Sequence, residues 1–151
     1  MTSIETIRHL AAAFGLLALA GCGAPSDGLE RFPVEGVVTL DGAPLQAGTI
    51  LFNAQDQGAS ASGEVVDGKF TLSGADGLSP GPYRVEIHSM KATGRKVPGA
   101  DDPNLLVDET VHLVPDRYNI RSTLKVELPP GGPKEPLSFS LTGATTKRGR
   151  R

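Results

Sequence analysis

Four sets of side chains in this 151-residue sequence are of types that do chemistry: the only thiol, Cys22; the histidines His88 and His112; an acidic group at Asp101, Asp102, Asp108 and Glu109; and a basic run at Lys147, Arg148, Arg150 and Arg151. A thiol serves as nucleophile, redox centre or acylation site, and one cysteine alone has no disulfide partner. The two histidines fall in separate segments without companions at metal spacing, and a closed zinc site asks for about four ligands, so they read as exposed or core side chains. The acidic group could offer oxygens to calcium, but it lacks the glycine-spaced ligand loop of a dedicated site and reads as a solvated segment. No serine sits in the strand-to-helix elbow that exposes a nucleophile, and no glycine-rich loop opens a helix to cradle phosphate. The expectation is therefore no catalytic residue, no metal and no cofactor.

Composition narrows the class further. Glycine (19) and proline (12) are abundant, aromatics are 5% and tryptophan is absent, which suits short strands and many turns rather than a helical bundle. From residue 22 to residue 146 there are ten basic against sixteen acidic side chains, a net charge of −6. An acidic body of this kind excludes nucleic acid as a natural partner, because phosphates call for clustered Lys and Arg. The basic cluster at residues 147–151 reads as a solvated tail (residues 144–151), with anionic lipid or wall polymer as the sharper alternative.

The elements that would position these groups begin with an N-terminal targeting segment. Arg8 and His9 precede an apolar run over residues 10–20, and small residues follow, which is the charged, apolar, cleavage-region order of a secretory signal. At a rise of about 1.5 Å per residue the run covers roughly half of a ~30 Å hydrocarbon core, too little for a membrane span. Leu19-Ala20-Gly21-Cys22 resembles the lipobox of bacterial lipoproteins. That resemblance implies cleavage after residue 21, a diacylglyceryl thioether on Cys22, and an extracytoplasmic protein held to the membrane by two or three acyl chains. By the sorting rule of enteric lipoproteins, Gly23 in place of aspartate after the cysteine implies the outer membrane. Residues 22–31 have no periodicity and several chain breakers, as a flexible tether would.

From Phe32 onward the pattern has a period of two. Val34, Gly36, Val38 and Leu40 share a face against Glu35, Val37 and Thr39, and Ile50 pairs with Phe52. Tyr83, Val85 and Ile87 alternate with Arg84, Glu86 and His88, as Leu124, Val126 and Leu128 do with polar neighbours and Leu137, Phe139 and Leu141 with serines. Asp67-Gly68 between Val65-Val66 and Lys69-Phe70 is a hairpin signature, and Asp41-Gly42-Ala43-Pro44 turns the chain. About seven strands with two-faced patterning predict a β-sandwich over residues 32–143. Residues 89–121 are the least legible. A loop so long is uncommon in a compact domain, so the reading is either a functional loop or a hidden strand near residues 110–114.

Gly36-Val37-Val38-Thr39-Leu40-Asp41-Gly42-Ala43-Pro44-Leu45, with Gly48 and Ile50 beyond, resembles the opening of carboxypeptidase regulatory-like domains. Leu78-Ser79-Pro80-Gly81-Pro82-Tyr83-Arg84-Val85 is similar to a later strand of that family. With Val114-Pro115-Asp116-Arg117-Tyr118-Asn119 and Ser122-Thr123-Leu124, the chain looks like the small transthyretin-like lipoproteins of planctomycete bacteria. The resemblance implies a transthyretin-like sandwich and no particular reaction. The enzymatic branch of transthyretin-like proteins ends in tyrosine-arginine-glycine-serine, whereas this sequence has Lys147-Arg148-Gly149-Arg150-Arg151. Physically, Gly42 and Gly48 are expected to supply turn angles, Pro44 to fix its own φ, and Pro80-Gly81 to redirect the chain.

These readings predict a noncatalytic envelope module, anchored at Cys22, that binds a protein or polysaccharide or acts as a spacer. A small hydrolase with His88 or His112 as base is the first alternative. Carbohydrate binding is the second, although stacking on sugars wants aromatics and the loops offer only Tyr118.

Overall fold

The computed structural model describes residues 28–143; Cys22 and the lipobox residues Leu19, Ala20 and Gly21, with the signal segment, most of the tether and the basic tail, lie outside them. Ten strands run in chain order: β1 Val34–Leu40, β2 Ala43–Pro44, β3 Ala47–Ala54, β4 Ala61–Val66, β5 Lys69–Leu72, β6 Gly81–His88, β7 Met90–Pro98, β8 Leu106–His112, β9 Leu124–Leu128 and β10 Leu137–Leu141. Seven of them form one continuous path, β10-β1-β5-β4-β3-β6-β9, with β2 paired to β1, while β7 and β8 make a separate two-stranded ribbon.

The path folds over between β5 and β4, which pair only at Val66 and Lys69, so that β10-β1-β5 lies against β4-β3-β6-β9 as a sandwich. The period of two drives this. Val34 and Val38 of β1, Ile50 and Phe52 of β3, and Tyr83, Val85 and Ile87 of β6 are all buried, while their chain neighbours are more exposed. Phe52 stands at the centre, with ring centroids 5.8 Å from Phe70, 6.3 Å from Phe139 and 6.3 Å from Tyr83. Those contacts join both layers. β10 runs parallel to β1, matching Gly36 with Leu137 and Leu40 with Leu141.

Both Asp-Gly pairs turn as their chemistry demands. Asp67 and Gly68 have φ of 48° and 76°, and Asp41 and Gly42 have 52° and 82°, the positive pair that a two-residue hairpin turn needs. Pro44 then lies in β2 opposite Thr39, and Leu45 is buried. Gly81, at φ 134°, opens β6 directly after Pro80.

Gly48 corrects the sequence reading. It lies within β3 without a positive φ, and a Cβ there would stand 2.5 Å from the His88 carbonyl oxygen. Its role is close approach of strands rather than a turn. Gly36 acts alike, since a Cβ would meet the Leu137 carbonyl and, at 2.6 Å, the Phe70 ring.

Two further expectations change. There are ten strands rather than about seven, because β2, β7 and β8 carry no clear alternation. Of the two alternatives for residues 89–121 the structure takes the hidden strand, and there are two: β7, and β8 at Leu106–His112 in place of residues 110–114.

The registers give the sandwich a polarity. Phe32 exchanges backbone hydrogen bonds of 2.9 and 3.0 Å with Leu78, next to the start of β1. Strand pairing then sets the two Asp-Gly turns, His88 and Leu141 at the opposite end. Because β7 continues from β6 through buried Ser89, whose hydroxyl donates to the Ala47 carbonyl, the ribbon springs from that opposite end as well.

Candidate functional site

The ribbon is the region least explained by folding. Nearly every residue of β7 and β8 is exposed, and six of the nine exposed large apolar side chains among the described residues, including Met90, Leu106, Val107 and Val111, belong to it or its flanks. What holds it is cross-strand. Lys96 Nζ lies 2.9 Å from Asp108 Oδ1, and Arg95 grips Glu109 with both Nε and Nη2 at 2.8 Å. The strands match Met90 with His112 and Ala92 with Thr110, then Lys96 with Asp108, so Thr93, Gly94 and Arg95 bulge opposite Glu109 alone.

Of the four acidic residues weighed as calcium oxygens, Asp108 and Glu109 are in ion pairs, and Asp102 accepts a 2.9 Å hydrogen bond from the Asn104 backbone N–H in the turn. Among the described residues no three His, Cys, Asp or Glu side chains converge as a metal site.

The structure keeps the two histidines on different strands and brings His88 to Glu86. On the outer face of β3 and β6, Glu86 takes Arg84 Nη2 at 2.7 Å and Asn53 Nδ2 at 3.1 Å on Oε1, and His88 Nε2 at 3.3 Å on Oε2. Alternation in β6 is what lines up residues 84, 86 and 88. Such a carboxylate can orient an imidazole, as a general base requires, yet here it binds Nε2 on an open sheet face.

Tyr118, the loop aromatic, is committed as well. The short 3-10 turn Asp116–Tyr118 places the Arg117 guanidinium 4.8 Å from the Tyr118 ring centroid, covering a face a sugar would stack on. The Tyr118 hydroxyl lies 3.0 Å from Thr142 Oγ1 and accepts from the Thr142 N–H, and Arg117 Nη2 donates to Thr142 Oγ1 and to the Gly143 carbonyl. Hydrogen bonds from Thr142 and Arg117 favour the phenolate and lower its pKa from 10.0 to about 8. Asp41 Oδ1 accepts the Gly143 N–H at 2.8 Å, so the chain after β10 is tied from two sides.

Of the residues that carry the family resemblance, Tyr83 has the most specific role. Buried, its hydroxyl lies 3.0 Å from the Ser79 carbonyl and 3.1 Å from Ser79 Oγ, which locks Pro80-Gly81 at the start of β6. Beside it is a shallow, open hollow of about 400 Å³ lined by Leu29, Glu30, Asp56, Gln57, Ser79 and Pro80.

No family model, curated protein or solved structure matches the chain. The ribbon left little trace in residues 90–112 because a segment with neither face buried has no apolar alternation to display. Its available signal was β-branched content, in Val107, Thr110 and Val111 of a short run.

Proposed function

We propose that the protein is a lipid-anchored extracytoplasmic lipoprotein whose sandwich is a noncatalytic module for binding or structural support in the bacterial cell envelope, in the manner of transthyretin-like, carboxypeptidase regulatory-like domains. The observation that carries the binding role is the exposed β7–β8 ribbon, set at the end of the sandwich opposite Phe32, which joins the domain to the tether. The lipobox at Leu19-Ala20-Gly21-Cys22 supports the anchor, with the outer membrane favoured by Gly23. An anchor on the Phe32 side turns the ribbon away from the bilayer, toward an envelope protein or polysaccharide.

The test is expression of the full chain in an exporting bacterium. The wild-type chain is expected to take up labelled palmitate and to sediment with membranes, and Cys22→Ala to lose both properties. An unlabelled, soluble wild-type chain overturns the anchor. For binding, detergent-solubilised protein is passed over envelope proteins and polysaccharide with and without residues 91–111 replaced by a short turn. Retention that depends on the ribbon supports the module, and equal passage of both removes its basis.

A hydrolase reading has one observation behind it, the Glu86–His88 pair. Loss of an ester- or amide-cleaving activity in His88→Ala, with the fold intact, would establish it.

A further inference from the structure

From the ribbon's two edges we infer that β8 is an interface for a second copy of this chain, pairing antiparallel with the same strand of its partner about a twofold axis at Thr110. The inference rests on the reading of the ribbon as a binding element, and it names what binds.

Sheet edges are templates for unwanted pairing, and proteins blunt them with Pro, Lys, bulges or brevity. The terminal edges at β7, β9 and β10 are treated in this way. β7 carries Lys91, Arg95 and Lys96, the bulge at Gly94 (φ 81°) and Pro98. β9 has five residues and runs into Pro129-Pro130, and β10 has five and follows Pro136. β8, Leu-Val-Asp-Glu-Thr-Val-His, has no proline, no Lys or Arg and no bulge of its own, and it pairs only with β7. Val107 and Val111 are 40% and 46% exposed.

The free edge also has its hydrogen-bonding groups aimed outward. Leu113 N–H donates to the Ser89 carbonyl at 2.9 Å, so odd-numbered residues of β8 face β7. By the alternation of antiparallel ladders, Leu106, Asp108, Thr110 and His112 present their N–H and C=O to the other side. A twofold at Thr110 uses those same residues. It sets Thr110 opposite its own copy and each Asp108 opposite the His112 of the other copy. On the other face Val107 meets Leu113 of the other copy and Glu109 meets Val111. Asp108 meets imidazole and Val107 meets Leu113, while Glu109 lies beside Val111 with its carboxylate held by Arg95 and clear of the other Glu109. A two-stranded ribbon is marginal in water, and a four-stranded sheet made from two of them is not.

The experiment uses the full chain, exported and solubilised in detergent. Wild type is expected at the mass of a dimer by light scattering. Thr110→Pro removes one outward N–H and none that serves β7, and is expected to give a monomer with an unchanged circular dichroism spectrum. Thr110→Cys places two thiols on Cα atoms about 5.5 Å apart, within disulfide reach, and is expected to give a reducible covalent dimer on mild oxidation. A wild-type monomer, or a dimer that Thr110→Pro leaves intact and Thr110→Cys fails to link, overturns the interface. The wild-type chain is oxidised alongside; a covalent dimer there means a free Cys22 thiol and counts against the anchor, and Thr110→Cys is then read in Cys22→Ser. Ribbon-dependent retention on envelope fractions with no self-association would sink this interface alone and leave the binding module standing.

Discussion

The sandwich and the ribbon are built from strands of similar length and are held by opposite means. In the sandwich, β3 and β6 each turn one face to the core, and Phe52, Tyr83, Val85 and Ile87 lose nearly all contact with water. In the ribbon, β7 and β8 bury almost nothing and rely on Lys96–Asp108 and Arg95–Glu109. Exposed ion pairs contribute little, so the difference is one of kind: a cooperative core against a local arm that can open without unfolding the rest.

Substitutions that sharpen or break this contrast fall in a clear order. Phe52→Ala empties the centre of both layers and is expected to cost about 3–5 kcal/mol, read as a lower midpoint in denaturant with the amides of β1, β3 and β6 losing protection together. Gly68→Ala forces a side chain into a left-handed turn and, at 2.7 Å, against the Pro44 Cβ, for a loss of at least about 1–2 kcal/mol. A midpoint unchanged by either substitution would mean that the sandwich is not the cooperative unit.

Arg95→Ala is expected to change global stability by no more than about 0.5 kcal/mol, its side chain being 75% exposed, while hydrogen exchange in residues 90–112 accelerates selectively. A fall of several kcal/mol would show that the ribbon is part of the core after all. The smallest effect belongs to Tyr118. Its folded pKa of about 8 lies below the ordinary phenol value of 10.0, so the folded state holds fewer protons between those values, and stability relative to Tyr118→Phe should rise as pH climbs from 8 toward 10. Absorbance titration should show a tyrosinate step near pH 8, absent in Tyr118→Phe and moved upward in Arg117→Ala.

Much of the sandwich is legible in the residues. The alternation of β1, β3, β6, β9 and β10 marks strands, and Asp67-Gly68 marks a hairpin whose two φ angles are both positive. Gly48 shows where this kind of reading stops. A glycine in sequence announces either a positive φ or a missing Cβ, and the choice depends on how close His88, forty residues away, comes to β3. Glu86 with His88 is half legible: their spacing puts them on one face, but Asn53 arrives from β3.

Period-two patterning and turn dipeptides are local, so the all-β class and the Asp-Gly turns follow from residue order alone. The pairing of β1 with β10, the meeting of Phe52 with Phe70 and Phe139, and the setting of the ribbon at the end away from Phe32 join segments far apart in the chain. Residue order carries no sign of such contacts, because they are chosen by the burial of many side chains at once. The bare edge of β8 belongs to the same class: an edge exists only once every other strand has found its neighbour.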